Sequence, residues 1–172
     1  RNADVVQKIV HSINKIITKK WRLMEVCGGQ THAIMKYALT NILPDSIQLV
    51  HGPGCPVCVT PLEAIDTAIQ LAQIENTIFC TFGDMMRVPG TKEDLLSLKA
   101  RGCDIRIIYS PLDALQISRD NQDRQVVFFA IGFETTAPTD AMAVYLAEKD
   151  NIQNFSIISS HVLVPPAIET IL

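Results

Sequence analysis

The sequence has no excess of positive charge and no long uninterrupted hydrophobic run. Its 15 lysines and arginines are outnumbered by 18 aspartates and glutamates, giving a formal net charge of −3 and a pI near 5.8. Neutralising DNA or RNA phosphates requires a basic surface, so we expect no nucleic-acid partner. Apolar runs are broken well short of the ~20 residues that span a bilayer, and the start Arg1-Asn2-Ala3-Asp4 does not resemble a signal peptide. We therefore expect a cytoplasmic protein with no membrane partner.

Two common kinds of cofactor motif are also missing. No G-x-G-x-x-G or Walker loop follows a predicted strand, which argues against a nucleotide ligand. The sequence has one C-x-x-C pair and no H-x-x-x-H, whereas a structural zinc site needs four ligands. Five cysteines, an odd number in a chain of 172 residues, favour thiol chemistry or metal binding over a disulfide framework.

What the sequence does contain is a regular alternation of short apolar runs and amphipathic stretches. Val and Ile at helical spacing predict an opening amphipathic helix. Six runs predict strands, at 22–26, 47–50, 77–82, 104–109, 125–131 and 155–160. This order predicts an α/β fold of Rossmann-like βα repeats, with helices on both faces of parallel sheets. The polar link 121–124 indicates a second sheet from about Gln122, which divides the chain into a first α/β domain (1–122) and the start of a second (123–172).

Helix boundaries carry their own signals. Thr60-Pro61-Leu62-Glu63, Thr91 with Asp94, and Ser110-Pro111 with Asp113 each match the pattern of a capping box. Gly102, which follows a basic stretch, predicts a helix stop.

The chemically unusual residues come directly after predicted strands and before predicted helices. In a parallel sheet these loops share the carboxyl edge, which is where ligands bind. Some of these residues also have purely structural explanations. Asp84 and Arg87 could form an internal ion pair, Thr136 could cap a helix, and His161 could be a core residue. The candidate site residues are Cys27, Gly28, Gly29, Gln30, Thr31, His32, Cys55, Cys58, Asp84, Arg87, Glu134, Thr135, Thr136 and His161.

Cys55 and Cys58 flank Pro56-Val57, just before a predicted helix. The positive end of that helix favours the thiolate form, and such a pair can cycle between dithiol and disulfide. The chemistry resembles that of thioredoxin, although the sequence does not.

Cys27 is a candidate third thiol, since it is followed by two glycines and then by His32. Glycines allow close approach of backbone to a ligand, and three soft sulfurs with an imidazole suit iron or zinc. Cys80, inside an apolar run, is expected to be a small buried hydrophobe, and Cys103 is interpreted in the same way.

Five short blocks contain all of these candidate site residues, and they are distributed in order along nearly the whole chain. They are MEVCGGQTHAI (24–34), HGPGCPVCVTP (51–61), FGDMMRVPG (82–90), GFETTAPT (132–139) and SSHVLVPPA (159–167). These blocks resemble the signature blocks of the HypD family of [NiFe]-hydrogenase maturation proteins.

The resemblance implies a scaffold on which the Fe(CN)2CO group of the hydrogenase is assembled, with a HypC-type chaperone and a HypE-type cyanide donor as partners. Cys27 matches the iron-ligating cysteine, with His32 close by, and Cys55 and Cys58 match a redox-active dithiol. The implied fold has two α/β domains facing a cleft, the second incomplete here. The family's third domain holds a [4Fe-4S] cluster whose cysteine ligands have no counterpart in this sequence. Such a protein is a cofactor-assembly scaffold with thiol redox activity rather than a turnover enzyme.

Two other functions stay open from the sequence. A stand-alone thiol-disulfide oxidoreductase would turn over small disulfides without iron or a partner. A small-molecule binding domain of the periplasmic-receptor type would keep its ligand after Cys55→Ser and Cys58→Ser.

Overall fold

The computed structural model describes residues 3–52 and 54–171, so Arg1, Asn2, Pro53 and Leu172 lie outside the described residues. The helices are α1 (Ala3–Ile16), α2 (Gly28–Lys36), α3 (Leu39–Ile42), α4 (Leu62–Ala72), α5 (Leu95–Ala100), α6 (Pro111–Asp120), α7 (Ala137–Lys149) and α8 (Val164–Ile171), with a 3-10 helix at Gly83–Arg87. The strands are β1 (Trp21–Glu25), β2 (Ile47–His51), β3 (Thr77–Thr81), β4 (Ile105–Ile107), β5 (Gln125–Phe133) and β6 (Phe155–Val162). The opening helix and all six predicted strands are confirmed.

The strands form two parallel sheets. β1 pairs with β2, from Trp21 opposite Ile47 to Glu25 opposite His51. The other four strands form a sheet in the order β4-β3-β5-β6, and every pairing in it is parallel. The predicted α/β class with parallel sheets is therefore confirmed.

The core of the larger sheet lies on both of its faces, and every residue of β3 is buried. Phe79 points into a cluster built with residues of α4 and α5, whereas Ile78 and Cys80 enter a cluster with Ala114 of α6. Helices therefore cover both faces, which is why all of β3 and most of β5 are buried. No helix in the described ranges is long and apolar enough to cross a membrane.

The expected second sheet from about Gln122 is wrong, because β5 pairs with β3 in the same sheet. The polar link before β5 is a turn inside this fold. The side-chain amide of Asn154 donates to the carbonyls of Ser118, Asn121 and Arg124 and so ties that turn to the start of β6. Polar residues here satisfy buried backbone groups and do not mark the start of a second sheet.

The chain divides into two compact units with a different boundary from the one expected near Gln122. The first unit holds the residues up to Cys55 together with those from Pro165, and the second holds Pro56–Val164.

One predicted capping box and the predicted helix stop are present. Ser110 accepts a hydrogen bond from the N–H of Leu112, and Asp113 accepts one from the N–H of Ser110 at 2.9 Å. Gly102 has a φ of +100° just after α5, a left-handed conformation that favours glycine.

The other two capping boxes are wrong, because their threonines have other partners. The hydroxyl of Thr60 donates to the carbonyl of Pro56 at 2.8 Å, and α4 begins without a side-chain cap. Thr91 donates its N–H and its hydroxyl to Asp66, and the cap of α5 is Asp94.

Candidate functional site

Cys27 lies at the turn between β1 and α2, where it occupies the N-cap position of the helix with an extended backbone. Its carbonyl accepts the N–H groups of Gln30 at 2.8 Å and Thr31 at 3.1 Å, which closes the first turn of α2. Its thiol makes no capping hydrogen bond, and the residue is exposed. The backbone therefore starts the helix, and the sulfur at its positive end remains accessible.

Gly28, directly after Cys27, lets this turn pass close to the second cysteine loop. A Cβ on Gly28 would lie 3.2 Å from the Cβ of Cys55, tighter than ordinary van der Waals contact, and one on Gly29 would lie 3.8 Å from the sulfur of Cys27. The Cys27 and Cys55 loops are thus neighbours within the first unit.

The carboxylate of Glu25 connects the residues around Cys27. It accepts hydrogen bonds from the N–H of Cys27 at 3.0 Å, from the hydroxyl of Thr31, and from Nδ1 of His51 at 2.7 Å. These donors, Thr31 first and then His51, hold the pKa of Glu25 below its ordinary value against the opposing effect of burial. The Glu25 side chain is 11% exposed and that of His51 is 54% exposed.

A steric constraint at Gly52 accompanies this network. The N–H of Gly52 donates to the carbonyl of Glu25 at 2.8 Å, and a Cβ on Gly52 would lie only 2.6 Å from that oxygen. Only glycine fits this approach of β2 to β1 without a shift of the backbone.

Gln30 and His32 are both exposed on α2. Within the described part of the chain, no group of three or more His, Cys, Asp or Glu side chains is arranged to hold a metal ion.

The C-x-x-C pair lies in the turn before α4, and the boundary between the two compact units falls within it. Cys55 is partly buried and belongs to the first unit, whereas Cys58 is exposed and belongs to the second. The bond from Thr60 to the carbonyl of Pro56 closes this turn.

His161 lies near the end of β6, opposite Gly132 of β5. Its Nε2 is 2.8 Å from a carboxylate oxygen of Asp140, and its Nδ1 is 2.9 Å from the hydroxyl of Ser159. The side chains of His161 and Asp140 are 13% and 5% exposed. Burial raises the pKa of Asp140, and the hydrogen bond from His161 opposes that rise. The sequence left open whether His161 is a core residue or a residue at the ligand edge of the sheet. In the structure its side chain is largely buried, and it lies near the carboxyl end of β6.

The block after β5 is used for internal hydrogen bonds. Glu134 accepts the N–H of Val164 at 2.8 Å, at the start of α8. Thr136 occupies the predicted N-cap position of α7, but its hydroxyl donates to the carbonyl of Phe133 at 2.9 Å and makes no capping hydrogen bond to the helix. Thr135 is exposed.

Asp84 and Arg87 belong to the 3-10 helix that follows β3, and both are exposed. Among the described residues no ion pair joins them.

The structure therefore groups the predicted residues in two sets, one in each unit. Sequence reasoning missed Glu25, Asp140 and Ser159. For Glu25 the deciding feature is the parallel register of β1 and β2, which places it opposite His51 and which local sequence does not reveal. The first unit contains Cys27, Gly28, Gly29, Gln30, Thr31, His32 and Cys55, and the second contains Cys58, Asp84, Arg87, Glu134, Thr135, Thr136 and His161.

Comparison with known proteins identifies the family. A family model described as "HypD: Hydrogenase formation hypA family" matches residues 4–172. The chain belongs to the HypD family. The resemblance carried by the five sequence blocks is therefore confirmed.

Several curated relatives are hydrogenase maturation factors. HypD2 of Bradyrhizobium diazoefficiens is 54% identical over 155 residues, which cover 90% of this chain and 41% of that protein. HypD of Escherichia coli K12 is 51% identical over 151 residues, covering 88% of this chain and 40% of that protein. HypD of Rhizobium leguminosarum bv. viciae is 48% identical over 175 residues, covering 100% of this chain and 46% of that protein. The chain thus spans less than half the length of these HypD relatives.

Proposed function

We propose that this chain supplies the iron-anchoring part of a [NiFe]-hydrogenase maturation scaffold on which the Fe(CN)2CO group is assembled as cargo. The observation that supports this most directly is the exposed thiol of Cys27 at the N-cap of α2, next to two glycines and the Cys55 loop. A cysteine thiolate is a soft ligand suited to iron.

In this proposal Cys27 provides one sulfur ligand, and a cysteine of a HypC-type chaperone provides a second. A HypE-type protein delivers the cyanide. Cyanide and CO favour low-spin Fe(II), and His32 on the same helix is a further candidate ligand. Gly28, Gly29, Gln30 and Thr31 line the approach to this sulfur.

The proposed role of Cys55 and Cys58 is electron supply. Closing the two thiols to a disulfide forms one S–S bond and releases two electrons and two protons. A two-electron acceptor delivered with the cyanide or CO ligands would take up these electrons, and in the full-length family the [4Fe-4S] cluster would supply two further electrons to reopen the disulfide. Asp84, Arg87, Glu134, Thr135, Thr136 and His161 are kept in this proposal as candidate binding residues of the second unit, and a cytoplasmic location is part of the same proposal.

The test is anaerobic co-purification of the full-length protein with the HypC-type chaperone, followed by iron analysis and an infrared scan of the cyanide and CO stretching region. The parent protein is expected to carry iron with those bands, and Cys27→Ala is expected to lose both. Cys103→Ala is the matched control, since this thiol packs against the core of the larger sheet. Iron and unchanged bands in Cys27→Ala would overturn the assignment.

A stand-alone thiol-disulfide oxidoreductase is the second candidate function. It is favoured by the exposed position of Cys58 at the entrance to α4. Turnover of a small disulfide by the isolated protein, without iron or chaperone and abolished by Cys58→Ser, would support this candidate over the scaffold.

A further inference from the structure

We propose that Glu25 is the positioning residue of the iron anchor, because its carboxylate locks the backbone of Cys27 to both α2 and β2. This inference rests on the proposed function, in which the Cys27 thiol binds the iron. Glu25 touches neither the iron nor its ligands in this proposal and acts only through Cys27.

The geometry brings three chain segments to one carboxylate. One oxygen accepts the N–H of Cys27 at 3.0 Å, from the turn that carries the thiol. The other accepts the hydroxyl of Thr31, from α2, and Nδ1 of His51 at 2.7 Å, from the end of β2. A carboxylate only accepts hydrogen bonds, so all three groups act as donors to it. The turn, the helix and the strand are thereby held in fixed relation.

Burial, strand register and a backbone hydrogen bond together fix the position of the Glu25 carboxylate. Its side chain is 11% exposed, and a partly buried charge requires donors of this kind to be stable. The register of β1 and β2 places Glu25 opposite His51. The N–H of Gly52 donates to the carbonyl of Glu25 at 2.8 Å and also holds the backbone of Glu25.

The bond to Cys27 is not needed to start α2. The carbonyl of Cys27 already accepts the N–H groups of Gln30 and Thr31, so the first helical turn stays closed without Glu25. The N–H of Cys27 has a different effect, since its hydrogen bond fixes the backbone angle that sets the direction of the thiol. No capping hydrogen bond restrains the sulfur itself. Loss of Glu25 is thus expected to make the backbone of Cys27, and with it the thiol, more mobile while α2 stays folded.

Outer hydrogen bonds that orient metal ligands typically change metal affinity by about 10–100-fold when they are removed. We therefore expect Glu25→Ala to reduce iron retention at least about tenfold in the full-length protein bound to the chaperone. The infrared bands of any remaining cyanide and CO should broaden or shift. Glu25→Gln, which keeps the shape and one or two of the acceptor contacts, should retain an intermediate amount of iron.

A second readout needs no iron. In the unloaded full-length protein, the rate at which iodoacetamide modifies Cys27, followed by mass spectrometry, should change severalfold in Glu25→Ala. Far-UV circular dichroism should stay the same, since α2 keeps its backbone bonds. Asp45→Ala is the matched control, because it removes an exposed carboxylate from the same unit, and it should change neither iron nor alkylation.

The outcomes separate the two proposals. If Cys27→Ala keeps its iron, the anchoring function is wrong whatever Glu25 does. If Cys27→Ala loses iron while Glu25→Ala keeps it with unchanged bands and an unchanged Cys27 alkylation rate, the positioning role alone is wrong. Should Glu25→Ala fail to fold, Thr31→Val and His51→Ala each remove one donor, and full iron retention in both would overturn the role.

Discussion

Replacing Asp104 with asparagine is expected to destabilise the larger sheet in a pH-dependent way. Asp104 directly precedes β4 and accepts two hydrogen bonds from Arg106, at 3.0 and 2.9 Å, and one from Arg124 at 2.6 Å. Arg124 also donates to the carbonyl of Thr77, the first residue of β3. One carboxylate therefore ties together the amino-terminal ends of β4, β3 and β5.

The size of the effect follows from the pKa of Asp104. Hydrogen bonds from Arg106, and then from Arg124, lower it from the ordinary 3.8 to about 2, against the opposing effect of burial. At 1.36 kcal/mol per pKa unit, this difference corresponds to roughly 2.5 kcal/mol. The Asp104 side chain is 30% exposed, and solvent screening reduces the expected contribution to about 1–2 kcal/mol.

The direction of the pH dependence follows from the lower pKa of Asp104 in the folded state. The contribution is complete above the unfolded pKa, falls to about half near pH 3, and disappears as the pH drops through about 2. Urea unfolding should therefore show Asp104→Asn less stable than the parent by about 1–2 kcal/mol at pH 7, with a smaller gap at pH 3. Asp123→Asn, at an exposed position nearby, is the control. An equal loss at pH 7 and pH 3 would refute the charge-based reasoning.

Gly132→Ala should lower the free energy of unfolding by about 2–3 kcal/mol, since the new Cβ would lie 1.8 Å from the hydroxyl oxygen of Thr136. Urea titration should show part of this loss recovered when Thr136→Gly is added, and no recovery would contradict the clash. Burial raises the pKa of the Cys80 thiol to about 12, so iodoacetamide at pH 8 should modify Cys80 only as the protein unfolds. Mass spectrometry should find the exposed Cys27 and Cys58 modified before Cys80, and rapid modification of native Cys80 would disprove its buried placement.

The strands were predictable because each is a compact apolar run, and β3 is buried along its whole length. The order of the strands was not, because pairing β3 with β5 joins Thr77 to Gln125 across a long stretch of sequence. Local composition around Gln122 predicted the wrong boundary. The polar stretch there is a turn whose backbone carbonyls, at Asn121 and Arg124, accept hydrogen bonds from the side chain of Asn154. The predicted caps at Thr60 and Thr91 failed because each hydroxyl donates to another group. Thr60 donates to the carbonyl of Pro56, four residues earlier, and Thr91 donates to Asp66 of α4.

The cysteines and glycines of the candidate site were visible in the sequence because their residue types are unusual for a strand end. Glu25 was not, because a glutamate at the end of a short strand looks like an ordinary solvated residue. Its role depends on His51, 26 residues later, and only the strand register brings the two together. Asp140 was hidden in the same way, since its partner His161 lies on another element.

The pairing of β1 with β2 also determines where this chain can gain or lose residues. A one-residue insertion or deletion in either strand would place Glu25 opposite Val50 or Gly52 and turn neighbouring side chains to the other face. The connection between the strands is different, because doubling the length of a flexible loop costs only about 0.6 kcal/mol. Natural and engineered length changes should therefore be tolerated between α3 and β2, around residues 43–46, and rejected within the five paired positions of each strand.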